Sequence, residues 1–598
     1  MISLVSPNDI QTDVRKSYKI IGLPGTGKTF TLLQIVKNYV SDGIAMKDII
    51  YCSHTRAAIG EVQERIVKLL PQLTDKDLKS IKTMHSLSFG LVRQDLGNKF
   101  KKQNNIRKIK EDFFKEFRIN YQHKFTFLKF ISSDNPTVYD LRNIESLNEL
   151  QPSIFFKLHA DLQIKFPDDD IKSSFDYLRE YWSRLSIEDD DEYNEDEEFE
   201  NINEELSKLA IQVSFLFHQQ WSLYKQQNYI FEFNDLLLHC FKNRLYPQCT
   251  ILIMDEFQDF SPLQFEVFKV WADNTKVTII AGDPNQAIYG FQNSSPQFLQ
   301  DYEATEPEII LDVSYRLPPK IIELAQQMIT SNNYLSSYQS HVSIDREGSI
   351  EEVDLSEIDI EPDESVFVLC RTNSMIEVIS NKLRESGIMN CIYPSKSNNS
   401  AEKKEIEMYY DVIYKLTYVG PNSDVVFTGD EIRVLLKLSE VPQNFNNVIN
   451  ISNRKSLFLY HEYHKLQQLL QEEEEVGIEK ELLLSMINLV GPEILELLTR
   501  KISKATKASI KKGIEKGWNK TQLINSLDQV KVMTIHKSKG KEADLVIVVN
   551  RATHYEKRGE ENEDEERRIW YVAVTRAKNR LIIASYEDEF EYTKTKYV

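Results

Sequence analysis

Gly22-Leu23-Pro24-Gly25-Thr26-Gly27-Lys28-Thr29 dictates more about the fold than any other run in this chain. A GxxxxGK[ST] run carries chemistry only between a strand and a helix, and both are legible here. Lys19–Ile21 is a short β-branched run on the N-terminal side. On the other side Leu32, Ile35, Val36, Tyr39 and Val40 recur at helical spacing. In that context glycines let consecutive backbone N–H groups converge on phosphate oxygens, and the helix N-terminus adds its positive end. Gly22, Gly25, Thr26 and Gly27 would line the cradle, Lys28 would reach the β- and γ-phosphates, and the Thr29 hydroxyl would ligate Mg²⁺.

A second run complements the first. Ile251–Met254 is apolar and ends in Asp255 and Glu256. Beside a phosphate loop, Asp255 is expected to hold Mg²⁺ and Glu256 to polarise the attacking water. Taken alone, the pair reads equally well as a strand ending in solvated acids.

Other short β-branched runs read as buried parallel strands: Ile49–Ser53, Thr250–Met254, Val277–Ala281, Val366–Cys370, Val532–Ile535, Leu545–Val549 and Leu581–Ala584. They fall into two groups, separated by long charged stretches of helical periodicity such as Glu405–Leu416. The simplest organisation is two α/β cores, each interrupted by a mainly helical insertion.

Charge and composition bound the partners. The formal net charge is −19, which taken alone disfavours nucleic acid. The charge is uneven, however. Glu188–Glu205 holds twelve acids and no Lys or Arg, and reads as a solvated loop or as a docking site for a basic protein partner. Glu560–Glu566 reads as a second acidic loop. Lys99–Lys110 and Arg500–Lys520 are basic, and read as solvated helix faces or as grips on duplex phosphates. No apolar run reaches the roughly 18 residues of a membrane span. The start, MISLVSPNDIQTDVRK, lacks the continuous apolar stretch of a signal peptide. The expectation is a cytoplasmic, nucleoid or nuclear protein without membrane partners, not a secreted one. Five scattered cysteines without CxxC suit a reducing interior and argue against zinc or disulfides.

With these runs in place, the chain resembles the UvrD/Rep/PcrA branch of superfamily 1 helicases. Tyr51–Arg65 (YCSHTRAAIGEVQER) and Thr83-Met84-His85-Ser86 resemble the family's first DNA-contact segments. Phe231–Leu237 (FEFNDLL) is similar to its lead-in to the acidic pair. Gly282–Phe291 (GDPNQAIYGF) is similar to its third motif and Ser314-Tyr315-Arg316 to its fourth. Val532–Glu542 (VMTIHKSKGKE) resembles the fifth, and Arg568–Lys578 (RIWYVAVTRAK) the sixth.

The resemblance implies an α/β fold of two RecA-like parallel-sheet core domains, each with a mainly helical insertion. Residues 1–95 and 225–313 would form the first, ATP-binding core, and 96–224 its insertion. Residues 314–395 and 528–598 would form the second core, and 396–527 its insertion. It implies ATP and Mg²⁺ as cofactors, and single-stranded DNA and single/double-strand junctions as partners. Gln286 would sense the γ-phosphate, Arg316 and Arg576 would act as arginine fingers, Tyr315 would face the adenine and Glu542 the ribose. Gln11 is the candidate for reading the adenine edge. Thr55, Arg56, His85, Tyr289, Phe291 and His536 would face DNA. The activity implied is 3′→5′ unwinding in repair, recombination or replication. A 5′→3′ relative, and a translocase or DNA sensor with little unwinding, remain alternatives. Two departures stand out. Gln292-Asn293-Ser294 replaces the usual Arg-Gly-Ala after the third motif, and Lys541 stands where an apolar residue is usual.

Both arginines lie far in sequence from the phosphate loop. If both reach one γ-phosphate, the nucleotide is clamped by remote parts of the chain and cleavage loosens the clamp.

Overall fold

The computed structural model describes residues 14–598 apart from 101–104, 121–151, 185–196, 330–341, 344–346, 362, 394–397, 419–423, 428–433, 435–475, 480–503, 552–561 and 586–593. The described chain is α/β, with two six-stranded parallel sheets. It divides into two units. The first comprises Met1–Arg316 and Ile329–Ile344, the second Leu317–Met328 and Asp345–Val598.

In the first unit the sheet is built from β1 (Lys16–Gly22), β2 (Ile49–Cys52), β3 (Ile81–Lys82), β4 (Ile251–Met254), β5 (Val277–Gly282) and β6 (Ile309–Leu311). The order is β3-β2-β4-β5-β1-β6. Helices on both faces bury it, which is why β2, β4 and β5 contain no exposed position. Tyr18, Ile20, Leu32, Val36 and Tyr39 pack on one face, and Ile21, Leu252, Met254, Phe268 and Trp271 on the other. In the strand register Ile21 lies opposite Gly282, and Cys52 opposite Met254. The loops leaving β1, β2, β4 and β5 therefore emerge along one edge.

The insertion of this unit is a helical cluster. Helices Ile106–Asn120, Pro152–Lys165, Ile171–Arg184 and Glu197–Asn228 bury Phe113, Phe117, Phe155, Leu158, Trp182, Phe217 and Trp221 together. The acidic run corrects the loop expected from sequence. Residues 188–196 lie outside the described residues, but from Glu197 the chain is already helical. Downstream, Ala210, Val213, Phe217 and Trp221 recur at helical spacing and are fully buried. That packed face carries the helix back into the acidic run.

Two short strands, β7 (Val313–Ser314) and β8 (Val342–Ser343), pair in parallel next to the first unit's phosphate loop. In the second unit β9 (Ser349–Asp354), β10 (Val366–Cys370), β11 (Cys391–Ile392), β14 (Val530–Thr534), β15 (Ala543–Val549) and β16 (Ala577–Ser585) form the second sheet. Its order is β11-β14-β10-β15-β16-β9. Between them β12 (Asp424–Phe427) and β13 (Val476–Glu479) make an antiparallel pair. Helix Asn398–Tyr418 buries Ile406, Tyr410, Val412 and Ile413, while Met408 is exposed. The basic stretch becomes helix Lys504–Glu515, with residues 500–503 outside the described residues. Lys520 pairs there with Asp411, and Lys516 lies 4.7 Å over Trp518. Glu563–Glu566 are also not a loop. They form the first turn of helix Glu563–Val574, capped by Asn562, whose side chain accepts from Glu565 N at 3.2 Å. Acids suit that turn because they face the positive end of the helix. Among the described residues no helix is long and apolar enough to cross a membrane.

Candidate functional site

Strand β1 delivers Gly22 into the loop, and helix Lys28–Ser41 starts at its far end. Gly25 and Gly27 have φ of 78° and 80°, the left-handed region that glycine enters without penalty. A Cβ at Gly22 would lie 2.5 Å from Lys28 Cγ. One at Gly25 would lie 2.5 Å from Arg316 Cβ. Thr26 Oγ1 donates to Leu23 O at 2.9 Å, bracing the loop from within. Lys28 Nζ folds back onto Gly22 O and lies 3.4 Å from Leu23 O, so its ammonium is held at the loop mouth.

Strand β4 ends at the same edge. Asp255 is buried and accepts from Tyr51 hydroxyl at 2.7 Å and from Thr29 hydroxyl at 3.3 Å, both on Oδ2. Its Oδ1 accepts from Glu256 N at 2.9 Å. Burial first, then the Glu256 charge, pushes the Asp255 carboxyl up to about 6. Glu256 adopts a left-handed backbone, φ 57° and ψ 41°, strained for a non-glycine residue and common at reacting positions. Gln258, fully buried, donates to Glu256 Oε2 at 2.5 Å and accepts from Asp283 N at 3.0 Å. Asp283, also fully buried, accepts from Gln286 Nε2 at 2.6 Å. Burial raises the Asp283 carboxyl, and the Lys28 ammonium opposes it. One continuous polar web thus joins β2, β4 and the loop after β5.

Thr29 and Asp255 supply hard oxygen donors of the kind Mg²⁺ takes, few enough to leave positions for phosphate and water. Among the described residues no group of three or more His, Cys, Asp or Glu could hold a metal.

Val313–Arg316 belongs with this loop. Ser314 hydroxyl donates to Pro24 O at 2.9 Å, and Tyr315 N donates to Gly25 O at 2.9 Å. The sequence places 314–316 at the start of the second core; by contacts it falls in the first unit. Tyr315 itself is exposed.

The other half of the edge is aromatic. Thr55 caps helix Arg56–Leu69, accepting from Ala58 N at 3.1 Å, and Arg56 is exposed in its first turn. His54 stacks on Tyr289, centroids 5.6 Å apart, and Tyr289 meets Phe291 edge-on at 6.0 Å. His85, after β3, meets Phe233 at 5.8 Å. Phe291 and Phe233 are 64% and 67% exposed, a large apolar area left in water beside the site. Burial first, then the neighbouring His54, pushes His85 down to about 4.

In the second unit, His536 sits in helix Ile535–Ser538 after β14, and Glu542 is exposed just before β15. Arg576 is almost completely buried, at 1% exposure. Its Nε donates to Val572 O at 2.9 Å, and its terminal nitrogens to Lys541 O at 3.4 Å and Thr575 Oγ1 at 3.0 Å. Lys541 donates to Lys537 O at 2.9 Å and lies 5.5 Å over the Tyr393 ring, which accounts for a cation at that position. Gln11 lies outside the described residues. Of the first basic stretch, residues 101–104 lie outside too; Lys110 is engaged by Glu232 and by the Phe156 ring at 4.8 Å.

Sequence reasoning missed Tyr51, Gln258, Asp283 and Phe233 as site residues. Tyr51, Asp283 and Phe233 lie inside motifs it singled out and Gln258 two residues past the acidic pair, but their roles come from partners set by the fold.

A parallel sheet with a phosphate loop, acidic pair and glutamine loop along one edge defines the class of phosphate-loop nucleotide-binding proteins. Comparison with known proteins agrees. Residues 6–307 match the UvrD/REP helicase N-terminal domain, and residues 431–588 the UvrD-like helicase C-terminal domain. The chain belongs to the UvrD/Rep family of superfamily 1 helicases. It is 27% identical over 190 residues to the ATP-dependent DNA helicase UvrD2 of Mycobacterium tuberculosis, covering 27% of each chain. It is 22% identical to a probable DNA helicase II homolog of Mycoplasma pneumoniae, over 94% of this chain and 81% of that one. It is 21% identical to the ATP-dependent DNA helicase PcrA of Staphylococcus aureus, over 94% and 80%. The match thus spans about a quarter of the mycobacterial relative and four fifths of the other two.

Proposed function

We propose that this chain is an ATP-dependent DNA helicase that moves 3′→5′ along a single strand and separates duplex ahead of it. The observation that carries the proposal is the shared edge of the first sheet. The loops after β1, β4 and β5 supply nucleotide chemistry, and those after β2, β3 and β5 supply an exposed aromatic and cationic track. The loop after β5 belongs to both halves, since it holds Gln286 and Phe291. A nucleotide event at one end can therefore move a base-stacking ring at the other.

In this scheme Lys28 and the loop amides neutralise the β- and γ-phosphates. Thr29 and Asp255 would hold Mg²⁺, which would supply further charge neutralisation. Glu256, aimed by Gln258, takes the proton of the attacking water. Gln286, aimed by Asp283, sits to sense the γ-phosphate. Tyr315 and Arg316 close on the nucleotide from the strand beside the loop. Arg576 and Glu542 are assigned by motif, and Arg576 would exchange its carbonyl partners for phosphate oxygens. The 3′→5′ polarity is supported by the GDPNQAIYGF, SYR and HKSKGKE runs through the family likeness they carry.

The test is unwinding of duplexes carrying either a 3′ or a 5′ tail, run beside Glu256→Gln. Separation of the 3′-tailed substrate alone, lost in the variant while ATP still binds, is the expected result. Preference for the 5′ tail overturns the polarity, and a variant that hydrolyses normally overturns the assignment of Glu256.

A further inference from the structure

The loop that carries Gln286 and Phe291 is fastened at its far end. Gly290–Gln292 form one tight turn, and Asn293 closes it in the left-handed region, φ 63° and ψ 23°. Asparagine tolerates that conformation because its short amide can hydrogen-bond locally. Here the amide bonds over a long range: Nδ2 donates to Asp161 Oδ1 at 3.0 Å, across 132 residues. Asp161 lies on helix Pro152–Lys165 of the helical insertion and is only 9% exposed. Its second oxygen accepts from the Tyr177 hydroxyl at 2.9 Å, with Lys157 Nζ 3.6 Å away. The carboxylate is thus gripped by the loop on one side and by the insertion's own helices on the other.

The same helix touches the core at a second place. Gln163 Nε2 donates to Asp235 Oδ1 at 2.8 Å, and His159 Nε2 is 2.9 Å from Lys225 Nζ. Lys225, almost fully buried, bonds both Asp235 oxygens at 2.7 and 2.8 Å. Asp235 sits in helix Phe233–Lys242, which starts at the exposed Phe233. One helix of the insertion is therefore tied to the core helix directly through Gln163 alone, with Lys225 of the neighbouring insertion helix bridging His159 to Asp235, and to the nucleotide-sensing loop through Asn293.

We propose that the Asn293–Asp161 bond is a coupling latch, which makes the helical insertion follow the loop between Gln286 and Phe291. Asn293 is a positioning residue: it acts through the loop and through Asp161. Leaving a nearly buried carboxylate short of a donor costs more than breaking a surface bond. A loop shift of an ångström or so therefore drags the insertion helix before it ruptures the bond. The site occupied by the unusual Gln292-Asn293-Ser294 is in this scheme a mechanical link in place of a nucleic-acid contact.

The inference rests on the helicase proposal, and its test separates the two. Asn293→Gly tolerates the positive-φ backbone and deletes the amide, while Asp161→Asn controls for the added backbone freedom of glycine by leaving the loop sequence untouched. Asp161→Asn keeps an acceptor for Asn293. Three quantities are measured: single-strand-stimulated ATP hydrolysis, unwinding of tailed duplex, and amide exchange of residues 152–165 on adding single strand with a non-hydrolysable ATP analogue. In Asn293→Gly, hydrolysis is expected to stay within about twofold while unwinding falls about fivefold or more, the size of a modest coupling energy. The exchange response of 152–165 is lost. Asp161→Asn retains most of all three. Wild-type unwinding and exchange response in Asn293→Gly overturn the latch, as does a parallel loss of hydrolysis and unwinding, which marks plain structural support. If the wild-type chain does not unwind at all, the helicase proposal fails, and the exchange response alone decides the latch: its loss in Asn293→Gly supports it and its survival overturns it.

Discussion

The two parallel sheets hold their motif residues in different ways. Along the first, side chains hold side chains: Tyr51 and Thr29 hold Asp255, Gln258 holds Glu256, and Asp283 holds Gln286. Along the second, Arg576 donates to main-chain carbonyls of its own unit, those of Val572 and Lys541, as well as to the Thr575 hydroxyl. A web of side chains can exchange one partner for a phosphate oxygen or a metal with little else moving. A guanidinium seated on backbone carbonyls breaks several bonds at once to reach a ligand, so it is held back until something stronger draws it out. If the motif assignments hold, the first sheet would bind and the second would respond.

The largest effect expected from this contrast is at Lys28. Lys28→Ala should take hydrolysis down to background, a loss of at least about 10³-fold, while the fold and single-strand binding survive. Steady-state hydrolysis and a strand-binding titration check both halves. Arg576→Ala should cut turnover by about 10³-fold if the arginine reaches the γ-phosphate. Unlike Lys28→Ala it should also destabilise, by about 1–3 kcal/mol, because buried carbonyls lose their donor. Thermal unfolding of the two variants side by side erases the contrast between the sheets if both are equally stable.

Smaller still is Tyr51→Phe. It removes the short bond to buried Asp255 without changing shape, and a cost of about 1–2 kcal/mol is expected in denaturant unfolding. No change would show that the web is ornamental.

A separate effect, spread over a range of pH, concerns His85. The folded state holds His85 down at about 4 against an ordinary 6.5, so it resists a proton that the unfolded chain accepts. The stability contributed by the neutral ring is present above pH 6.5 and is lost as pH falls from 6.5 towards 4. His85→Gln should flatten that part of the stability–pH curve and leave strand affinity between about pH 8 and 6.5 with an unchanged slope. A wild-type slope in the variant would show that His85 does not titrate this way.

How far the sequence revealed this arrangement depended on burial. Val366–Cys370 reads as a strand from end to end because all five residues are buried, leaving a continuous apolar run. Ser349–Asp354 does not, because an edge strand half in water carries Glu351 and Glu352. Ile81–Lys82 and Cys391–Ile392 are too short to show any period. Charge misled twice for one reason. Acids after Glu197 and at Glu563–Glu566 look like loops by composition, yet apolar faces further along each helix decide their conformation. In the site, Lys28, Asp255 and Glu256 could be singled out because phosphate-loop chemistry fixes their spacing, whereas Gln286 came from the family resemblance alone. Gln258, Asp283, Tyr51 and the Asn293–Asp161 pair could not be, since each depends on a neighbour set by strand order, and no local period encodes strand order.

The decisive measurement is the hydrolysis rate with and without single-stranded DNA. If one sheet edge serves both nucleotide and strand, adding the strand should raise turnover about tenfold or more, and Phe291→Ala should lose most of that rise while keeping the basal rate, in line with the energy of stacking one base. A rate indifferent to DNA, in a chain that hydrolyses ATP well, would be incompatible with a shared edge.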